Sequence, residues 1–411
     1  MRSVCVALLL WLMAASAGAQ TPGQSAADQW PGLLGEPQMI RKAVILADEW
    51  VGDGKSKSTD GFYPELRNMI TGSGWISAGP GYRRRFFDGH ALIDGSAAIS
   101  WRAYRIAQAR FELTDLAGHR LTVGSQFFWQ DLTQIDYFGV GANSIEAARS
   151  EYQLKDTDVV GYTTVQANRK LAISGTFGRL QHPRLSAPDG PFLRGLPDAL
   201  LTFPNDPGVA AQPNFLHGMV SVTADTRDHA GYSRAGGLYR VGIAAYSDRD
   251  YGQYSFRRYE AEGVQYVPLN ADSWTLAVHG WGVLSDTSTS NTIPFYMLPS
   301  LGGHDTLRGF YDYRFHDRNL LLASAESRWA LLRDIDVAAF FDAGNVADTV
   351  SRLNLHKRSW GGGLRVHSRT STLARFDAGH SVEGWRFVFR LSDPFRVSRF
   401  SRRTAETPFV P

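Results

Sequence analysis

The sequence predicts an all-β fold, a transmembrane antiparallel β-barrel of about sixteen strands. Three observations carry that expectation. Apolar and polar residues alternate over stretches of about ten residues throughout 61–395, which is the period of a strand with two unlike faces. After Ala19 no apolar run is long enough for a membrane helix, because charges or glycines interrupt every candidate. Short and long connections alternate along the chain, as in bacterial barrels with short periplasmic turns and long outer loops.

The N-terminus reads as a secretory leader. Met1-Arg2 is basic, Val4 to Ala15 is almost wholly apolar, and Ala17-Gly18-Ala19 is a small-residue cleavage site. Removing residues 1–19 takes away the single cysteine, Cys5, together with Arg2, so the net charge falls from +3 to +2. A mature chain with no thiol is held by backbone hydrogen bonds and apolar burial, which suits a periplasmic or outer-membrane product. The near-neutral balance argues against nucleic acid as a partner. Aromatic content of 12% excludes a disordered chain.

The strands follow from the alternation. In 121–130, Leu121, Val123, Phe127 and Trp129 share one face, opposite Thr122, Gly124, Gln126 and Gln130. In the last strong segment Trp385, Phe387, Phe389 and Leu391 alternate with Arg386, Val388 and Arg390. A sandwich in water buries one face as well, but it closes in ~100 residues, whereas here the pattern continues without a break. Tyr137-Phe138, Tyr251 with Tyr254, and Trp274 are read as aromatics at headgroup level. Segments near 75–86, 91–101, 103–114, 120–131, 151–166, 170–180, 215–227, 236–247, 256–268, 273–284, 318–332, 335–343, 359–368, 371–379 and 384–392 make an odd number. An even count requires one more, and Gly61 to Ile70, turning at Thr71-Gly72-Ser73-Gly74, supplies it.

The long loop 285–317 contains Leu301-Gly302-Gly303-His304-Asp305-Thr306-Leu307-Arg308-Gly309-Phe310. Alternation puts Glu326 on one face with Ser324 and Arg328, and Asp342 on one face with Asp336, Ala338 and Gly344. Both acids then face the lumen from neighbouring strands, and an inward-folding loop could set Arg308 between them, since a guanidinium satisfies two carboxylates with forked hydrogen bonds. The alternative is that Arg308 caps a surface turn while the acids solvate the lumen. The same argument turns Arg365, Arg375, Asp377, Arg386 and Arg390 inward on adjacent strands near the seam between last and first strands.

At these residues the sequence resembles the Omp85 superfamily (bacterial surface antigen D15, BamA/TamA-like). Leu307-Arg308-Gly309-Phe310 is similar to its inward-folding loop motif and Phe340-Phe341-Asp342-Ala343-Gly344 to its following strand motif. Ala325-Glu326-Ser327-Arg328, Asp225-Thr226-Arg227-Asp228 and Tyr137-Phe138-Gly139-Val140-Gly141 resemble family segments in family order, over roughly 61–395. The resemblance implies a sixteen-stranded outer-membrane barrel of a Gram-negative-type bacterium. It also implies a luminal loop held through Arg308, Asp342 and Glu326. Family members insert barrel proteins or translocate polypeptides, with the seam between first and last strands as a lateral gate, so outer-membrane lipids, unfolded outer-membrane polypeptides and an assembly partner are the implied partners.

Two departures stand out. Residues 20–60 are too few for the periplasmic POTRA domains of family insertases. They contain Glu36 to Trp50, read as a helix that plugs or skirts the mouth or else as a linker. The barrel ends near Leu391 or Phe395, followed by a tail at 396–411 with Arg396, Arg399, Arg402 and Arg403, read as a solvated end. His367-Ser368 and His380-Ser381 lack an orienting acid at interpretable spacing, and the histidines show no paired ligand spacing, so neither an enzyme, a metal nor a cofactor is expected. Asp248-Arg249-Asp250 is read as loop solvation. A passive channel or a surface structural protein on the same barrel is the alternative function. The membrane reading predicts that the purified chain needs detergent and migrates faster on a gel unheated than boiled; a monodisperse, detergent-free protein with no heat-dependent shift is the contrary outcome.

Overall fold

A computed structural model describes residues 32–35, 37–51, 60–67, 76–191, 193–270, 273–368 and 371–395. The expected leader, the turn at 71–74 and the tail at 396–411 lie outside them. Eighteen strands are present among the described residues. They are β1 Gly61–Arg67, β2 Ser77–Phe86, β3 Ala91–Ser100, β4 Arg105–Asp115, β5 Leu121–Tyr137, β6 Ser150–Asn168, β7 Leu171–Ser186, β8 Phe215–Asp225 and β9 Gly236–Asp248. There follow β10 Phe256–Asn270, β11 Trp274–Asp286, β12 Ser300–Leu301, β13 Phe315–His316, β14 Asn319–Ala330, β15 Ile335–Ala347, β16 Lys357–His367, β17 Thr372–Ser381 and β18 Gly384–Arg390.

Sixteen of these form one antiparallel sheet in strict chain order, while β12 and β13 pair separately inside the long loop. The strand count from alternation and parity therefore stands, with β1 occupying the place of the sixteenth segment. Lipid is the reason the pattern was readable. Outward positions carry Val123, Phe127, Phe177, Val220, Ile243, Val278, Phe341 and Phe387, all exposed, whereas Gln126, Gln130, Glu326 and Asp342 on the opposite face are buried. In water such an outer surface would be a large apolar patch; against hydrocarbon it is the stable face. Trp274 stacks on Trp329 at the periplasmic end, and Trp360 and Trp385 flank His380 at the outer end.

Tyr137 and Phe138 correct the headgroup reading. Strands β5 and β6 run to 17 and 19 residues and so continue above the membrane, where Tyr137 is buried against Phe203 and Phe295 of the outer loops. Tyr254 is likewise buried, whereas Tyr251 and Trp274 are exposed. Short turns are set by local chemistry: Asn168 Oδ1 accepts the amides of Lys170 and Leu171 at 2.8 and 3.0 Å, an Asx-type turn closing β6 onto β7.

The first and last strands, seven residues each, are the two ends of the sheet order and border the seam. Helix α1, Gln38–Val51, lies beside it, against β1 and β17 with Val44 buried. Just before it, the amides of Leu33 and Leu34 bond to the carbonyls of Ala330 and Leu331, at 3.1 and 3.0 Å, in the turn after β14.

One periplasmic connection does more than turn. Residues 226–235, between β8 and β9, reach as a chord to β15 and to the β16–β17 turn, with Tyr232 also 5.7 Å from the Arg328 guanidinium of β14. The Thr372 amide donates to the Gly231 carbonyl at 3.0 Å. Tyr232 stacks on His367 with ring centroids 3.8 Å apart and donates its hydroxyl to Asp336. Arg234 Nη2 lies 3.2 Å from the same carboxylate. Tyr232→Ala removes a fully buried aromatic, a loss on the order of 3 kcal/mol. The expected outcome is faster tryptic cleavage at Arg227 and Arg234 with heat-dependent gel migration retained; an unchanged digestion rate contradicts the chord.

Candidate functional site: the inward loop and its luminal ion pairs

The connection between β11 and β14 enters the lumen by its own hairpin. Leu301 pairs with Phe315 and Ser300 with His316. Gly302 and Gly303 adopt φ of +116° and +93°, and a Cβ at Gly303 would sit 1.9 Å from Asp312 Oδ1, so this tight reversal requires glycine. Leu307 and Phe310 are buried with Leu301, Phe315, Trp281, Val283, Leu320, Leu322 and Val346 in one apolar cluster between loop and wall. Each such side chain stabilises the docked loop by roughly 1.5–3 kcal/mol.

The arginine between these two apolar anchors meets both acids. Arg308 Nε and Nη2 donate to the two oxygens of Asp342 at 3.0 and 2.8 Å, and its backbone amide donates to Oδ2 at 3.2 Å. Nη1 donates to Glu326 Oε2. The guanidinium lies over Phe340, 3.5 Å from the ring centroid, and Ser359 Oγ donates to Asp342 Oδ2 at 3.1 Å. The surface-cap alternative does not describe this residue, which is 1% exposed. Gly309 and Gly379 face one another: a Cβ on Gly309 would lie 2.7 Å from the His380 carbonyl carbon, and one on Gly379 2.6 Å from the Arg308 carbonyl oxygen. Ser381 Oγ donates to the Gly309 carbonyl at 2.7 Å. Gly344 is met from above by Leu301, whose Cδ1 would be 3.0 Å from an added Cβ.

Glu326 gathers three guanidiniums. Besides Arg308, Arg328 Nε lies at 2.8 Å and Arg365 Nη2 at 2.7 Å. From there the chain of pairs runs across the last strands: Arg365 to Asp377 at 2.6 Å, Asp377 to Arg375 at 3.0 Å, and Arg375 back to the loop at Asp305, 2.5 Å. Arg390 Nη2 lies 3.2 Å from His304 Nδ1, and His304 bridges Asp305 and Asp312 at 3.1 and 2.9 Å. Arg386 sits apart from the other luminal charges, at the outer end, against Glu146 at 3.2 Å and 3.5 Å from the Tyr311 ring centroid.

Sequence reasoning placed Arg308, Glu326 and Asp342 but missed what surrounds them. Arg328 was placed on the luminal face without a role, and its partners, Glu326 and Asp393, make it a junction. His304, Asp305 and Asp312 stand beside the loop arginine in sequence and bond to one another, yet Asp305 also takes Arg375 of β17 and His304 meets Arg390 of β18. Arg314 of the same loop bonds Glu383 at 2.7 Å and Ser144 Oγ at 2.8 Å, which ties the loop to two outer connections.

Fold and geometry together define an outer-membrane barrel whose longest loop is anchored inside its own lumen. The model of the Omp85 superfamily domain matches residues 119–383, more than half of the chain, and the protein belongs to that superfamily, an outer-membrane protein of Gram-negative bacteria. Among solved structures it is similar to BamA from Haemophilus ducreyi lacking POTRA domains 1–3, at 14% identity and TM-score 0.59, over 80% of this chain and 68% of that one. It is also similar to CdiB from Escherichia coli, at 15% identity and TM-score 0.51, over 80% of this chain and 60% of that one. These likenesses are of fold. A comparison with curated protein sequences gave no match.

A buried ion pair adds little net stability, but removing one partner strands the others at a cost of about 3–5 kcal/mol. Arg308→Ala is therefore expected to release the loop without unfolding the strands, seen as new protease cleavage within 302–314. Arg308→Lys, which keeps the charge and loses the fork, is expected to fall between the two. Identical digestion of all three proteins contradicts the anchoring.

Proposed function

We propose that this protein is a non-enzymatic outer-membrane factor that inserts or translocates polypeptides, with Arg308, Glu326 and Asp342 holding the loop as a latch inside the barrel. Membership of the Omp85 superfamily supports the general class. The observation that carries the reading is the buried Arg308, which binds the loop to β14 and β15 at once. A steady pore is the competing reading, and the luminal charges speak against it: Arg365, Arg375 and Asp377 are buried and bonded to one another. A lumen whose charges pair across the wall braces the barrel and leaves fewer groups to hold water and ions.

The partners on this reading are outer-membrane lipids and unfolded polypeptides that reach the barrel from the periplasm. Deletion of the gene followed by quantitative proteomics of the outer membrane is the test. Loss of a subset of barrel or surface proteins, with little steady conductance of the purified protein in planar bilayers, is the expected result. An unchanged outer-membrane proteome together with steady conductance altered by Arg365→Ala favours the channel.

A further inference from the structure

Beyond β18 the chain turns back into the lumen. Asp393 Oδ2 lies 2.8 Å from Arg328 Nη1, and Asp393 Oδ1 accepts Arg328 Nη2 at 3.2 Å and the Phe395 amide at 2.9 Å. This Asx turn aims the Phe395 ring at the wall. The ring is buried with Leu238 of β9, Val264 and Tyr266 of β10, and Ala277 of β11. The His279 ring centroid is 5.4 Å away, and the Arg308 and Arg328 guanidiniums are 5.6 and 5.7 Å from the Phe395 ring centroid.

The strand register explains the niche. One cross-strand row contains Leu238, Val264 and His279; the next contains Tyr266, Ala277, Glu326 and Phe340. In the second row the small Ala277 is set between Tyr266 and Glu326, and the Phe395 ring is buried in the same cluster as Ala277. A cation stands at its edge, since Arg328 holds Glu326 with Nε and presents its outer nitrogens to Asp393.

We propose that this luminal niche is a peptide-binding site for an extended element with a carboxylate two residues before an aromatic side chain, and that Asp393-Pro394-Phe395 is its resident ligand. The chemistry selects both features. The Arg328 fork takes a carboxylate, and the niche takes a ring, which the neighbouring guanidiniums attract through its π face. The resident segment is tethered to β18 through Leu391 and Ser392, so it competes at an effective concentration in the millimolar range. A segment of another polypeptide gains the site when it matches this element and is itself held nearby. The inference deepens the polypeptide reading above by naming the kind of segment accepted. Its test reads binding rather than insertion, so either can fail without the other.

The experiment uses the full chain in detergent and a fluorescent peptide with the sequence of residues 391–395, followed by anisotropy. Phe395→Ala empties the niche in cis and is expected to bind the peptide at least tenfold more tightly than the wild type. The same peptide carrying asparagine for the aspartate, or alanine for the phenylalanine, is expected to lose that gain. Adding Ala277→Phe, which fills the niche, or Arg328→Gln, which removes the fork, to Phe395→Ala is expected to abolish binding. Asp393→Asn serves as a second way of weakening the resident segment should Phe395→Ala misfold, with heat-dependent migration as the folding control. Equal binding by wild type and the emptied variant overturns the proposal, as does no binding by a folded variant or binding indifferent to Ala277→Phe.

Discussion

The structure depends on one buried guanidinium. Arg308 enters the lumen from a loop and meets carboxylates from two adjacent strands. Without Arg308, Asp342 would be a charge removed from water with only the Ser359 hydroxyl beside it, a loss that hydroxyl does not offset, while Glu326 would keep Arg328 and Arg365. The apolar anchors Leu307 and Phe310 supply favourable burial on either side, while the ion pairs fix which residue lies where. A different register of the loop would still bury leucine and phenylalanine, but it would part Arg308 from Asp342 and leave both charges without that ion pair.

The pairs also make distant parts of the chain answer to one another. Glu326 is shared by Arg308, Arg328 and Arg365, so the loop, the segment after β18 and the last strands converge on a single carboxylate. Loss of any one guanidinium changes the field felt by the other two. The fold therefore has a shared electrostatic centre off the barrel axis, on the β14 wall, and the seam lies a few strands away from it.

How much of this could be read from the chain follows from the range of the forces involved. Strands were legible because the bilayer imposes a period of two on every crossing segment, and the parity of the count could be completed by Gly61 onward. The luminal placement of Glu326 and Asp342 came from the same period. What escaped is contact between remote segments: Tyr232 meets Asp336 across 104 positions, and Asp393 meets Arg328 across 65. Neither pairing leaves a local pattern. Tyr137 and Phe138 misled because an aromatic at a strand's end looks alike whether the strand stops at the headgroups or continues above them.

The apposition of Gly309 and Gly379 has a mechanical consequence. Main chain touches main chain there, with no side chain between them to change rotamer and give way. Covalent geometry thus acts as a hard stop on the loop's travel toward β16 and β17, so whatever displaces this loop must draw it away from that wall.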